Sequence, residues 1–155
     1  MATNFSQQKG KRAERAAIQL LQPVVNKCYA KCGLTPPTLA RNSMQSRFGG
    51  HDIVGLEWLA LEIKHHEKQQ LKVWWEQTKS QSIKHTQSLG KTYYGSIEPV
   101  LMYKANNVRW QVRLRGYLPA GKKRIKATVD ISIETFLLWF EHRLDSELVE
   151  TSQSN

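Results

Sequence analysis

Residues 51–66 read HDIVGLEWLALEIKHH, and this stretch decides which fold the chain can adopt. Its second half, WLALEIKH (residues 58–65), is the clearest strand pattern in the sequence, and HDIV (residues 51–54) predicts a shorter strand before it. A short turn between them folds one strand back toward the other. Because strand side chains alternate between faces, Glu62 and Lys64 lie on the same face. The opposite face carries the aliphatic residues Leu59, Leu61 and Ile63.

The turn also brings Asp52 toward Glu62 and Lys64. An acid and a base on an otherwise apolar strand are costly to bury without partners. Two carboxylates and an ammonium that converge suit a magnesium-dependent phosphodiesterase, because Mg²⁺ prefers oxygen ligands and keeps several waters. Asp52 and Glu62 would ligate the ion, and the backbone carbonyl of Ile63 would add a third oxygen. Lys64 would orient or deprotonate the attacking water, or stabilise charge developing on the phosphate.

The same residues have a purely structural alternative. An Asp followed by Glu-x-Lys is a short pattern that also arises by chance. Glu62 and Lys64 could equally form a surface ion pair on an edge strand. The residues alone leave both interpretations open.

The remaining periodicities predict a single α/β (α+β) domain. The predicted order is helix, three strands, helix, three strands and helix, around a central mixed sheet flanked by helices. We expect residues 1–8 to be a disordered basic arm and residues 150–155 to be a disordered tail. Residues 9–131 form the main domain. Residues 132–149 predict an amphipathic helix, capped by Ser132, that either packs on the domain or forms a dimer seam.

The charge distribution indicates a polyanionic partner. The chain carries 23 Lys+Arg against 13 Asp+Glu, for a net charge of +10, and six of the acids lie in residues 130–155. A basic body favours nucleic acid because binding releases counterions. The basic residues form two clusters: Lys9, Lys11, Arg12 and Arg15, then Lys122, Lys123, Arg124 and Lys126. The sequence has no long apolar run and no signal-peptide pattern, so we expect a cytoplasmic protein without a membrane partner.

Four segments carry a resemblance to a known family. They are GKRAERAA (10–17), GGHDIVG (49–55), LEIKHHE (61–67) and WWEQTKSQ (74–81). In order and rough spacing they resemble the PD-(D/E)xK nucleases, and most of all the archaeal-type Holliday-junction resolvases and similar bacteriophage nucleases. The resemblance covers roughly residues 9–115, and it implies a restriction-endonuclease-like core for the nuclease domain of residues 9–131. The chain departs from the pattern at His51, where the superfamily often has Pro. It also has no clear counterpart of the Ser that many resolvases carry near the Asp.

The resemblance implies a Mg²⁺-dependent endodeoxyribonuclease, a hydrolase in which Mn²⁺ substitutes for Mg²⁺. By the same resemblance, Glu14 of the first helix reaches the metal through water and Gln77 lies near the active site. From the residues alone, Glu14 is equally a surface partner of Arg15 or Lys11, and Gln77 is an exposed helical residue. A viral chain would act in the host cytoplasm.

The leading hypothesis is a homodimeric resolvase that acts on branched or double-stranded DNA in recombination and repair. A two-fold dimer supplies the symmetry needed to cut two strands. Alternatives are another nuclease of this fold, either an end-processing exonuclease or a restriction-type enzyme, and a DNA-binding protein without activity. Contacts to the DNA backbone are predicted for Lys9, Lys11, Arg12, Arg15, Arg41, Arg47, His65 and Lys91.

Overall fold

The order of helices and strands follows the sequence prediction. A computed structural model describes residues 2–43, 50–88 and 97–153. Within these ranges the elements are α1 (Ala2–Lys31), β1 (Ala40–Arg41), β2 (Ile53–Val54), β3 (Leu59–His65), α2 (Leu71–Ser88), β4 (Glu98–Lys104), β5 (Gln111–Ala120), β6 (Lys123–Ser132) and α3 (Ile133–Gln153). The predicted α/β (α+β) domain, with a central mixed sheet and flanking helices, is confirmed.

The main sheet has four strands in the order β3-β4-β5-β6. β3 and β4 are parallel because α2 crosses over between them, whereas the β4–β5 and β5–β6 pairs are antiparallel. β1 and β2 form a separate antiparallel pair, with Ala40 opposite Val54. β3 is therefore an edge strand of the main sheet, and β2 lies next to its free edge.

The two faces of the sheet are covered by different helices. α1 and α3 pack on the face that carries Leu59, Leu61 and Ile63, and together they enclose the larger core. α2 packs on the other face, where Trp74 and Trp75 form a smaller cluster with Leu101 and Tyr103. Since Leu101 is the register partner of Glu62, that carboxylate belongs to the face under α2.

α3 closes the larger core through two aromatic rings. Phe136 and Phe140 are fully buried with ring centroids 5.9 Å apart, and Trp58 lies 6.0 Å from Phe140. The apolar stripe of the helix is therefore used within the chain, which is the first of the two predicted alternatives. The predicted cap is confirmed, since the Thr135 backbone N–H donates to Ser132 Oγ at 3.2 Å.

Ion pairs fasten α1 to α3. Lys27 lies 2.7 Å from Glu141, and Lys31 lies 3.3 Å from Glu141 and 3.1 Å from Asp145. The acidic charge of α3 is thereby placed against basic residues of α1. None of the described helices is long and apolar enough to cross a membrane.

Both terminal helices extend further than the sequence predicts. α1 begins at Ala2, so residues 2–8 of the predicted disordered arm are helical, and α3 continues to Gln153 in the predicted disordered tail. Residues 4–8 and 151–153 are exposed turns that continue from packed helices, a context that the local sequence does not contain. Pro23 lies within α1 without ending it, because Leu21 and Val25 on either side are fully buried.

Candidate active site

Asp52 is held against the free edge of β3 by two hydrogen bonds. Its backbone N–H donates to the Leu61 carbonyl at 2.9 Å, and its side-chain Oδ2 accepts from the Ile63 backbone N–H at 2.6 Å. The carboxylate is therefore fixed next to the segment that carries Glu62 and Lys64. The side chains of Asp52, Glu62 and Lys64 therefore lie close together, as the sequence predicts.

The turn after β2 depends on Gly55. Its φ is +129°, a backbone conformation that residues with a side chain rarely adopt. A Cβ at this position would lie 2.9 Å from a methyl carbon of Leu39, too close for a real contact. Gly55 thus lets the chain turn from β2 toward β3 within a few residues, which keeps Asp52 next to its partners.

Glu62 is a buried carboxylate with a charged neighbour. Only 3% of the residue is exposed, and Oε1 lies 2.8 Å from Lys64 Nζ. Burial and the neighbouring Asp52 carboxylate raise the pKa of the Glu62 carboxyl, Lys64 opposes the rise, and the net result is a pKa of about 7. Glu62 and Lys64 therefore do form an ion pair on an edge strand, as the purely structural interpretation predicts. The Glu62 carboxylate, however, is buried and does not lie at the surface. A strongly perturbed carboxyl beside a second carboxylate is typical of functional sites.

Glu14 approaches this cluster from α1. Its carboxylate ion-pairs with the Arg41 guanidinium rather than with Arg15 or Lys11, which were its predicted surface partners. Its negative charge also contributes to the raised pKa of Glu62, so it lies within electrostatic range of that residue. The structure therefore brings Glu14 to the site. Arg41, predicted as a DNA contact, is engaged by Glu14.

The glutamine that reaches the site is Gln81, not the predicted Gln77. With its amide nitrogen turned toward the carboxylate, Gln81 donates to Glu62 Oε2 at 3.0 Å and to the Gly50 carbonyl at 3.3 Å. Gln77 is exposed on α2. The two residues are one helical turn apart and share a side of the helix, but α2 packs so that only the later one points at Glu62. The assignment of Gln77 as a site residue is wrong on this geometry.

For the nuclease activity that the sequence predicts, replacing Gln81 with alanine is expected to lower the rate of DNA cleavage about 10- to 100-fold, the usual cost of removing a group that orients a ligand. Gln77→Ala is the matched control, with the same substitution on the same helix, and should leave cleavage within about twofold of wild type. Single-turnover rates of the two variants decide between the residues. A larger loss in Gln77→Ala would contradict the position of α2 described above.

His51, at the position that departs from the family pattern, is buried against α2. Its ring lies 4.9 Å from that of His85 in an edge-to-face arrangement. Burial, together with the nearby His85, lowers the pKa of His51 to about 4, so the ring is neutral at pH 7. His51 therefore packs the segment before Asp52 onto α2 without adding charge. Sequence reasoning did not identify this role.

The predicted DNA contacts fall into three groups. Three cations, Lys11, Arg12 and Arg15, are exposed along α1. Lys9 lies 3.6 Å from Glu67, and the His65 ring lies 3.0 Å from the Asn106 side-chain oxygen. Arg47 and Lys91 lie outside the described residues. Burial lowers the pKa of His65 and the positive charge of Lys9 lowers it further, so the N-terminal half of α1 passes near the end of β3.

The oxygen atoms at the free edge of β3 match the preference of Mg²⁺ for oxygen ligands. The Ile63 N–H points to Asp52, away from β4, and the N–H and C=O of one strand residue point to the same side. The Ile63 carbonyl therefore lies on the side of Asp52. Two carboxylates and one carbonyl suit an ion that keeps several waters. No group of three or more His, Cys, Asp or Glu side chains in the described ranges is placed to hold a metal by itself.

Compared with protein-family models, with curated proteins and with solved structures, the chain gives no significant match. The geometry of the site and the four-segment resemblance are therefore the basis for a functional proposal.

Proposed function

We propose that this protein is a Mg²⁺-dependent DNA endonuclease of the PD-(D/E)xK type, and that it acts as a homodimeric, structure-selective Holliday-junction resolvase. One observation carries the proposal. The Asp52 carboxylate is hydrogen-bonded to the backbone between Glu62 and Lys64, so that two acids and one lysine meet at a sheet edge. This is the group of residues that a metal-dependent phosphodiesterase uses.

Each residue has a distinct task in this proposal. Asp52, Glu62 and the Ile63 carbonyl would hold Mg²⁺, which when bound stabilises negative charge on the phosphate and acidifies water. The Lys64 ammonium, 2.8 Å from Glu62, is placed to orient a water or to donate a hydrogen bond to a phosphate oxygen. Gln81 fixes the second oxygen of Glu62, so that the carboxylate keeps one orientation. Glu14 would act through water.

DNA is the proposed substrate because the surface near the site is basic. Exposed cations of α1 would contact phosphates and position the backbone without reading bases. The homodimer is proposed because a four-way junction must be cut at two related strands. The alternatives that remain are another nuclease of the same type, an exonuclease or restriction-type enzyme, and a DNA-binding protein without activity.

The test is cleavage of a synthetic four-way junction in Mg²⁺, beside linear duplex, single-stranded and flap DNA of matched sequence. We expect paired nicks at symmetric positions of the junction, and no nicks when EDTA removes the metal. Cleavage confined to linear or flap DNA would contradict the resolvase and retain the nuclease. Failure to cut any of the four substrates in Mg²⁺ or Mn²⁺ would contradict both.

A further inference from the structure

β5 and β6 continue as a two-stranded ribbon beyond the rest of the sheet. The pairing of β4 with β5 ends at Val100 opposite Leu114, whereas β5 and β6 stay paired as far as Ala120 opposite Lys123. We call residues 115–128 the ribbon. Its six residue pairs extend roughly 20 Å past the end of the β4–β5 pairing, at the usual rise of a strand.

The ribbon exposes apolar side chains on a pair of strands. Tyr117 is 61% exposed, Leu118 52% and Ile125 56%. A two-stranded hairpin with no covering layer is marginally stable by itself, so residues of this kind at its tip indicate a surface made for a partner. The chemistry of that partner follows from the charges around them.

The ribbon is strongly basic. Residues 114–129 contain five basic residues and no acidic one. Arg115, at the base, pairs with Glu98. The four cations toward the tip form no ion pair within the described part of the chain; they are Lys122, Lys123, Arg124 and Lys126. A surface with this much uncompensated positive charge favours a polyanion.

A second copy of this chain is a poor source of the missing negative charge. The acidic residues of α3 are already engaged within their own chain. Glu134 pairs with Arg109, Glu141 with Lys27 and Lys31, and Glu147 with Arg143. Binding the ribbon of another copy would require breaking such pairs, whereas nucleic-acid phosphates exchange only mobile counterions.

The cations lie on both faces of the ribbon. Tyr117 lies opposite Lys126 and Pro119 opposite Arg124, whereas Ala120 lies opposite Lys123 on the alternate face. The major groove of DNA has phosphates along both walls, and its width of about 12 Å admits a two-stranded β-ribbon. The exposed aliphatic residues suit apolar contacts in the groove, such as those made with thymine methyl groups.

We propose that the ribbon enters the major groove of duplex DNA and that its tip cations bind the phosphates on either side. This binding is separate from the proposed cleavage, because Asp52 and Glu62 lie at β3, the opposite edge of the sheet from β6. Duplex RNA is excluded as an equivalent ligand, since its major groove is deep and too narrow for such a ribbon.

The experiment compares wild type with a ribbon variant in which Lys122, Lys123, Arg124 and Lys126 are all replaced by Gln. Binding to a labelled DNA duplex of about 30 base pairs is followed by fluorescence anisotropy in EDTA over a range of salt concentrations. At about 0.1 M salt we expect the ribbon variant to bind the duplex at least about 30-fold more weakly than wild type does. The slope of log K against log salt concentration should fall in magnitude by about 3.6, which is about 0.9 for each of the four phosphate contacts that the variant no longer makes.

The control variant removes the same charge elsewhere, with Lys27, Lys68, Lys72 and Lys84 replaced by Gln. Its affinity loss should stay below about fivefold. A charge-preserving ribbon variant that combines Lys122→Arg, Lys123→Arg and Lys126→Arg should bind like wild type. Circular dichroism checks that each variant is folded. Because EDTA prevents metal-dependent cleavage, the outcome does not depend on the proposed nuclease activity.

Three results would overturn the proposal. The first is an equal loss of affinity in the ribbon variant and the control variant. The second is ribbon-dependent binding to duplex RNA or to anionic lipid vesicles that matches the binding to DNA. The third is a change from dimer to monomer in the ribbon variant by light scattering, which would make the ribbon a contact between copies.

Discussion

Asp52→Asn is expected to lower the rate of the proposed Mg²⁺-dependent cleavage by about 10³-fold. The substitution removes one negative charge from the proposed metal site, and a loss of about 4 kcal/mol of charge stabilisation corresponds to this factor. Asparagine keeps a side-chain oxygen that can accept from the Ile63 N–H, so the local fold should be retained. Single-turnover cleavage of the preferred DNA substrate measures the effect.

Metal binding gives the same variant a second readout. Saturating Mg²⁺ should raise the melting temperature of wild type by a few degrees, because a ligand stabilises the state that binds it, and should leave that of Asp52→Asn unchanged. Glu57→Gln is the control, since Glu57 is an exposed carboxylate a few residues further along the chain. If Asp52→Asn cleaved DNA at the wild-type rate, Asp52 would have no role in the reaction.

Phe140→Ala is expected to lower the free energy of unfolding by about 3–5 kcal/mol, the usual cost of removing a large ring from a packed core. Phe140 is fully buried and contacts the rings of Phe136 and Trp58, so its removal leaves a cavity where α3 meets the sheet. Urea unfolding followed by tryptophan fluorescence measures the change.

Leu138→Ala is the matched control on the same helix. Leu138 is 60% exposed, so its removal should cost less than about 0.5 kcal/mol. If both variants lost similar stability, Leu138 would be buried in solution, which would indicate that α3 forms a contact between copies. Equal stability of Phe140→Ala and wild type would contradict the packing of α3 on the domain.

The sequence predicted the part of the site that lies close together along the chain. Alternation on β3 places Glu62 and Lys64 on the same face, and a short turn returns Asp52 to their side. Both arguments involve fewer than about 15 residues and depend only on strand geometry. For this reason the positions of these three residues agree with the structure.

The local sequence pattern does not show which glutamine of α2 contacts Glu62. α2 carries both Gln77 and Gln81, one turn apart, and its rotation is set by which side chains it buries. Thr78 and Ser82 are buried, and Ser82 donates to the Ile97 carbonyl before β4. These contacts turn Gln81 toward Glu62. The sequence contains no signal for them, because they depend on a strand that follows later.

The length of β5, and with it the ribbon, is also underestimated from the sequence. The alternation of Trp110, Val112 and Leu114 with polar or charged residues predicts a strand over residues 109–115 only. In the structure β5 continues to Ala120. Pro119 is tolerated there because β4 does not reach this part of β5, so its missing N–H costs no hydrogen bond on that side.

The pairing of α1 with α3 has a consequence for how the protein is made on the ribosome. Lys31 and Asp145, which join the two helices, are 114 residues apart. At a synthesis rate of about 5–20 residues per second, α1 waits on the order of ten seconds for its partner. During that time Ala17, Leu21 and Val25, all fully buried in the finished protein, belong to a core that still lacks α3. The nascent chain should therefore be a chaperone client until α3 emerges.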